Sequence, residues 1–154
     1  MSRLKNIRLL RVALFIGVVI VIIFAGSVLA TNDNAACSEG NQKIMDKNNI
    51  VISFTGLDYN GVAGPEAGLL IENNSDYNYI IQAEDMMVNG KAISPIFSCE
   101  IAPGQRLTDD IVISQWKLDQ HGIGKIETLQ FNFVVFNSEN WYDDFYSDTV
   151  SLSF

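Results

Sequence analysis

Histidine, cysteine and proline are scarce in this chain, and their scarcity removes several kinds of chemistry. The 154 residues include one histidine, two cysteines and three prolines. A nucleophile–histidine–acid triad would have to use His121, and no Gly-x-Ser-x-Gly motif accompanies it. One histidine and two distant cysteines match no recognised zinc spacing. The sequence therefore predicts a protein that is not an enzyme and that uses neither a cofactor nor a metal centre.

Basic side chains are scarce beyond residue 30. Residues 31–154 hold six Lys and Arg side chains against eighteen Asp and Glu, a net charge of −12. Such a surface repels phosphate backbones and anionic lipid headgroups. We therefore expect no nucleic-acid partner.

Charge is absent altogether from Val12 to Ala30. Four cations precede this apolar run, namely Arg3, Lys5, Arg8 and Arg11. Its nineteen residues approach the roughly 20 that a spanning helix needs, and the cations hold its start on the cytoplasmic side. Val28-Leu29-Ala30 also suits cleavage before Thr31. Residues 1–30 are thus predicted to be a signal peptide or a membrane anchor, an apolar helix that contacts the membrane through residues 12–30. Both alternatives place the rest of the chain outside the cytoplasm.

Apolar periodicity begins only after a polar segment. Residues 31–49 lack periodicity, which predicts a linker. From Ile50 onward, apolar residues alternate with polar ones as in half-buried strands. The pattern predicts strands over Ile50–Thr55, Gly68–Glu72, Tyr77–Val88, Lys91–Ile93, Phe97–Ile101, Arg106–Ser114, Leu129–Phe136 and Thr149–Phe154. The strand Leu129–Phe136 has apolar residues on both sides in its second half, which predicts a central strand that is covered on both sides.

Local signals mark the connections between these strands. Asn89-Gly90 predicts a type I′ hairpin turn, and a parity change near Glu84-Asp85 predicts a bulge. A short helix is expected over Gln115–His121, with Ser114 capping its start. Gly122 and a contact between Leu118 and Ile123 would close it in a Schellman motif.

Seven to eight short strands with one short helix predict an all-β fold. The expected architecture over residues 50–154 is an antiparallel immunoglobulin-like β-sandwich, with a small barrel as the alternative.

Cys37 and Cys99 are a candidate disulfide if the domain is exported to an oxidising compartment. The bridge would close a loop of sixty-one intervening residues and stabilise the fold by about 4 kcal/mol in the chain-entropy model. Two free thiols are the alternative. Lipid attachment at Cys37 is a further alternative, which Asn34 disfavours because that chemistry requires an aliphatic residue three positions before the cysteine.

Four carboxylates and several aromatic residues lie between positions 139 and 148. Calcium takes six to eight oxygen ligands, so Glu139, Asp143, Asp144 and Asp148 form a candidate cation loop, although no Asp-x-Asp-x-Asp-Gly pattern is present. Trp141 and Phe145 are expected to cover the end of the sandwich. With Tyr77 and Tyr79 they would alternatively form an exposed stacking patch for a sugar or a protein.

Several segments resemble an uncharacterised domain of Gram-positive bacterial envelope proteins and lipoproteins. These segments are Leu70–Asp76, Val88–Gly90 and Ile126–Phe136 with the following Trp141. The similarity covers roughly Ile50 to Phe154 and consists of turns and core positions. It implies a sandwich outside the cytoplasm and supplies no functional residues.

Together these patterns favour a non-enzymatic extracytoplasmic domain of the cell envelope. Its expected role is to contact an envelope protein or to support an assembly. The alternative is a cation- or carbohydrate-binding module that uses loop 139–148.

Overall fold

The computed structural model describes residues 41–154. The predicted signal peptide or anchor, its membrane contact, residues 31–40 of the linker and Cys37 all lie outside the described residues. Between residues 41 and 154, no helix is long and apolar enough to cross a membrane.

Ten strands and one short helix make up the described chain. The strands are β1 (Gln42–Lys47), β2 (Ile50–Asp58), β3 (Glu66–Asn73), β4 (Tyr79–Val88), β5 (Lys91–Ala92), β6 (Ser98–Ile101), β7 (Arg106–Val112), β8 (Thr128–Asn137), β9 (Asn140–Tyr146) and β10 (Val150–Ser153), and the helix α1 (Gln115–Gln120) joins β7 to β8.

The strands form two antiparallel sheets. One sheet has four strands in the order β1-β2-β3-β7. The other has six strands: β10-β8-β4-β5 form its main path, β6 also pairs with β4, and β9 also pairs with β8. The prediction of an all-β fold with one short helix is confirmed, and two antiparallel sheets are compatible with a β-sandwich.

The core follows the two-residue period of the sequence. Burial alternates along the whole of β3, and Ile50 and Ile52 of β2 are completely buried. Phe131 and Phe133 of β8 are also fully buried, with ring centroids 5.2 Å apart in an edge-to-face arrangement. Burying a side chain of this size contributes about 1.5–3 kcal/mol to the stability of the fold. The buried side chains at every second position therefore hold the two sheets together.

The local signals of the sequence are largely confirmed. Asn89 and Gly90 have φ values of 48° and 74°, as a type I′ turn requires. The register of β4 shifts between Glu84 and Met87, where Asp85 has a φ of 52°. Strand β8 is central, since it pairs with β4 on one side and with β9 and β10 on the other.

The C-terminal end of helix α1 matches the prediction, but the capping of its N-terminal end does not. Gly122 has a φ of 68°, and the N–H of Ile123 donates to the carbonyl of Leu118 at 2.9 Å, which is the Schellman bond. The prediction that the Ser114 side chain caps the start is wrong, because it makes no hydrogen bond there. The carbonyl of Ser114 accepts from Lys117 and Leu118 instead.

Two strands lie where the sequence predicts irregular chain. Strand β1 occupies part of the predicted 31–49 linker and pairs with β2. A bulge between Lys43 and Met45 interrupts its alternation, and only Met45 is fully buried, so no period-two pattern is visible. Strand β9 occupies most of the predicted 139–148 loop. Asn140 pairs with Asn137 and Asp144 pairs with Phe136, so three intervening residues of β9 bulge out of register.

Candidate interaction face

The outward side of the six-stranded sheet is built from two rows of paired residues. Directly paired residues of antiparallel strands lie on the same side of a sheet. One row runs Glu100–Ile80–Phe136–Asp144 and the other runs Ser98–Gln82–Val134–Tyr146. Their chain neighbours Ile81, Phe133 and Val135 belong to the core, so the rows point away from it. We refer to these eight residues as the β4–β8 face.

The centre of the β4–β8 face is apolar. Val134 has no exposed surface although it is not part of the core cluster. Its cross-strand partners are Gln82 and Tyr146, and Tyr146 is 53% exposed. Ile80 and Phe136 are half-buried in the adjoining row. Outward positions of a two-layer fold are normally polar, so this centre departs from the usual pattern.

The rim of the β4–β8 face is acidic. Glu100 and Asp144 stand exposed at the two ends of one row, and Glu84, which pairs with Asn132, is exposed beside the other row. Neither row contains a lysine or an arginine. Glu84 and Asp85 also line an adjacent cleft of about 430 Å³ at the β4 bulge, together with Met86 and Ile93.

Two amide oxygens near these rows lack a donor. Among residues 41–154, the buried side-chain oxygens without a hydrogen-bond partner are Asn78 Oδ1 and Asn132 Oδ1. Asn78 lies two residues before Ile80, and Asn132 lies two residues before Val134. Both asparagines are therefore on the same outward side of the sheet. The amide nitrogen of Asn78 donates to the Glu100 carboxylate.

Two of the strand edges are poor templates for strand addition. Among the described strands, β1 pairs only with β2, and β9 pairs only with β8. Each carries a bulge, with charged side chains such as Lys43 and Lys47 on β1 and Asp143 and Asp144 on β9. Bulges and edge charges oppose pairing with another chain. Strand β10, which lies at the end of its sheet beside β8, has neither feature.

The four carboxylates of the predicted ligand loop are spread along β9. Glu139 lies in the β8–β9 turn, where its N–H donates to Asn137 Oδ1 at 3.0 Å. Asp143 Oδ2 accepts from the amide of the buried Asn137 at 3.3 Å, while Asp144 points outward beside Phe136. Asp148 follows the other end of β9 and lines a cleft of about 350 Å³ with Lys43 and Lys47.

This spread disfavours a shared cation. A strand of this length places its ends on the order of 15–20 Å apart. In the described part of the chain, no group of three His, Cys, Asp or Glu side chains is placed to hold a metal ion. Nothing is described for the side chain of Trp141, the remaining residue of the predicted loop site.

The aromatic residues around this strand divide between core and surface. Tyr79 is buried, and its ring lies 5.9 Å from that of Phe145 and 6.5 Å from that of Tyr77. Phe145 packs against the core, as predicted. Burial raises the pKa of Tyr79, and Asp143 and Tyr77 raise it further. Tyr142 is 97% exposed, and Tyr77 and Tyr146 are 52% and 53% exposed, so these three described rings are available for stacking.

Cys99 and His121 lie away from any described catalytic grouping. Cys99 is buried in β6, and burial raises its thiol pKa to about 12, with a further contribution from Asp109. Its pairing with Cys37 stays a prediction, because Cys37 lies outside the described residues. His121 is exposed at the end of α1, where its N–H donates to backbone carbonyls of the helix.

Sequence reasoning found the residues of the face without recognising the face itself. The two apolar parities of β8 were visible in the sequence, but they indicated a strand covered on both sides. In the structure Val134 is fully buried, while Tyr146 and Asp144 remain exposed. Only the strand register reveals which side chains share this side.

Protein-family models and curated proteins give no match to this chain. The resemblance to Gram-positive envelope domains therefore stays a prediction.

Proposed function

We propose that this protein is a non-enzymatic domain of the cell envelope, an immunoglobulin-like β-sandwich that binds another protein on the extracytoplasmic side. The contact surface is the β4–β8 face. The observation that carries the proposal is the apolar centre on the outward side of the sheet, where Tyr146 is 53% exposed and Ile80 is half-buried, on either side of the fully buried Val134.

The composition of the face matches the anatomy of protein interfaces. Such interfaces have an apolar centre enriched in aromatic residues and a polar rim. A few central residues, tyrosine often among them, contribute most of the binding energy. Ile80, Phe136 and Tyr146 supply the centre, and Glu100 and Asp144 supply the rim.

The sequence supports the proposed location. The apolar run Val12–Ala30 behind four cations favours export or anchoring. A domain of net charge −12 is repelled by anionic headgroups, which favours contacts with proteins over contacts with the lipid surface. The two antiparallel sheets support the immunoglobulin-like architecture.

Carbohydrate binding is the alternative function. Tyr142 and Tyr77 are both exposed, and a hydrogen bond from Ser138 N to Asn78 O ties the turn before Tyr142 to the start of β4 at 2.9 Å. Aromatic rings presented in this way can stack on sugars. The cation-binding version has less support, because Asp143 and Asp144 point to opposite sides of β9.

Site-specific photocrosslinking in the native cells tests the proposed function. A photoreactive amino acid at Gln82, inside the face, is expected to give a discrete protein adduct. The same probe at Thr108, an exposed position on β7 of the other sheet, is the matched control and should give little or none. Tyr146→Ala should weaken the Gln82 adduct. Absence of the Gln82 adduct, or equal adducts at both positions, would overturn the proposal.

A further inference from the structure

We infer that the partner segment bound at the β4–β8 face is basic at both ends of an apolar stretch. This inference rests on the proposed function, because it specifies the chemistry of the partner at the same surface. It follows from the positions of the carboxylates around the face and from the positions of the lysine and arginine side chains of the described chain.

The carboxylates of the face have no cationic partner in the described chain. The two ion pairs among residues 41–154 are Lys43–Asp46 at 2.6 Å and Arg106–Glu72 at 3.2 Å. Both lie on the four-stranded sheet. Glu84, Glu100 and Asp144 therefore present uncompensated negative charge around the apolar centre. Complementary charge at the rim of an interface selects partners and speeds their encounter.

The hydrogen-bonding capacity of the rim points to the same partner. The carboxylates of Glu84, Glu100 and Asp144 only accept. Lysine and arginine side chains carry donors and no acceptors. A segment with such side chains at its ends would supply both the charge and the donors that these carboxylates can bind.

A second copy of this chain does not fit the face. Face-to-face packing of two copies would bring carboxylates at the rim of one copy against those of the other. Like charges placed opposite each other in an interface disfavour the complex. The partner is therefore a different protein.

The row geometry sets the spacing of the basic residues. Glu100 and Asp144 lie on the outer two of four adjacent strands, a separation of about 14 Å at the usual strand spacing. A helix rises about 1.5 Å per residue and returns to the same side about every 3.6 residues, so two basic side chains on one side of it would stand about eleven residues apart. An extended segment would need about four residues. Apolar side chains between them would cover Ile80.

The test uses the full chain in its native cells with the photoreactive residue at Gln82. In one variant Glu100→Gln and Asp144→Asn are combined, which keeps the side-chain shapes and removes two charges. The matched control combines Asp76→Asn and Glu127→Gln, two exposed carboxylates outside the rows. We expect the adduct to fall at least tenfold in the face variant and less than twofold in the control variant.

A charge reversal and the composition of the adduct complete the test. Glu100→Lys combined with Asp144→Lys should abolish the adduct, and mass spectrometry should place the crosslink in a segment with lysine or arginine on both sides of apolar residues. An adduct that survives neutralisation, falls equally in the control variant, or maps to a segment without basic residues overturns this inference and leaves the proposed function standing. Absence of any adduct from Gln82 in the parent chain overturns the proposed function itself.

Discussion

The side-chain amide of Asn73 donates to the backbone carbonyl of Ile101 at 3.0 Å and so joins β3 of one sheet to β6 of the other. The same nitrogen donates to the Tyr77 carbonyl at 2.8 Å, and Oδ1 accepts from the N–H and hydroxyl of Ser75. Asn73 has no exposed surface. The triplet Asn73-Asn74-Ser75 matches a glycosylation acceptor in sequence, but this burial gives it a structural role.

Replacing Asn73 should therefore destabilise the domain. Asn73→Ala removes the donor to the buried Ile101 carbonyl, the acceptor for Ser75 and a tie between the sheets, and we expect the free energy of unfolding to fall by about 3 kcal/mol. Chemical denaturation measures the change. Asn74→Ala is the control, since Asn74 is exposed, and should cost about 0.5 kcal/mol or less. Equal stability of the two variants would contradict the role assigned to Asn73.

The Asn89 side chain should contribute to stability separately from the turn that it occupies. Its Oδ1 accepts from the N–H groups of Glu127 and Thr128 at 2.8 and 2.9 Å, and its Nδ2 donates to the Lys125 carbonyl at 2.7 Å. Asn89→Ala removes all three bonds and should cost about 2–3 kcal/mol, whereas Asn89→Asp keeps the acceptor and should cost less. Thermal unfolding of both variants measures the order, and the reverse order would refute this account.

Alkaline pH should destabilise the domain through Cys99. Burial raises the thiol pKa from its ordinary 9.0 to about 12, so the folded chain holds this proton more tightly than the unfolded chain. The resulting stability is fully present below about pH 9 and is lost as the pH rises toward 12. Tyr79, whose pKa is also raised, acts in the same direction.

The measurement compares melting temperatures between pH 8 and 10.5 in a Cys37→Ser background, which keeps Cys99 a thiol. The decrease should be smaller when Cys99→Ala is added. An identical decrease would show that the thiol of Cys99 does not contribute to the alkaline loss of stability.

Calcium should not stabilise the domain through the β9 carboxylates. Asp143 and Asp144 lie on opposite sides of the strand, and Glu139 and Asp148 lie near its two ends. A ligand that binds only the folded state raises the melting temperature, and the increase grows with the ratio of ligand concentration to Kd. We expect millimolar calcium to give the same melting temperature as millimolar magnesium. A calcium-specific rise that Asp143→Asn abolishes would restore the cation-binding alternative.

The sequence predicts best those features that depend on neighbouring residues. The Asn89-Gly90 turn, the bulge at Asp85 and the Gly122 helix ending each depend on a few adjacent residues, and the structure confirms all three. Strands β1 and β9 escaped prediction because bulges break their period-two alternation. The β4–β8 face could not be predicted because it requires the pairing of β6, β4, β8 and β9, which no local pattern encodes.

The bulged, charged edges of β1 and β9 also bear on how the protein behaves when many copies share one surface. Tethered molecules reach high local concentrations, at which a flat uncharged edge would recruit further strands and start a fibril. For copies tethered as we propose, repulsion at Asp143 and Asp144 and the irregular course of β1 near Lys43 would oppose pairing at these two edges. A crowded surface would then present many β4–β8 faces to a partner, while the domains would not associate through these edges.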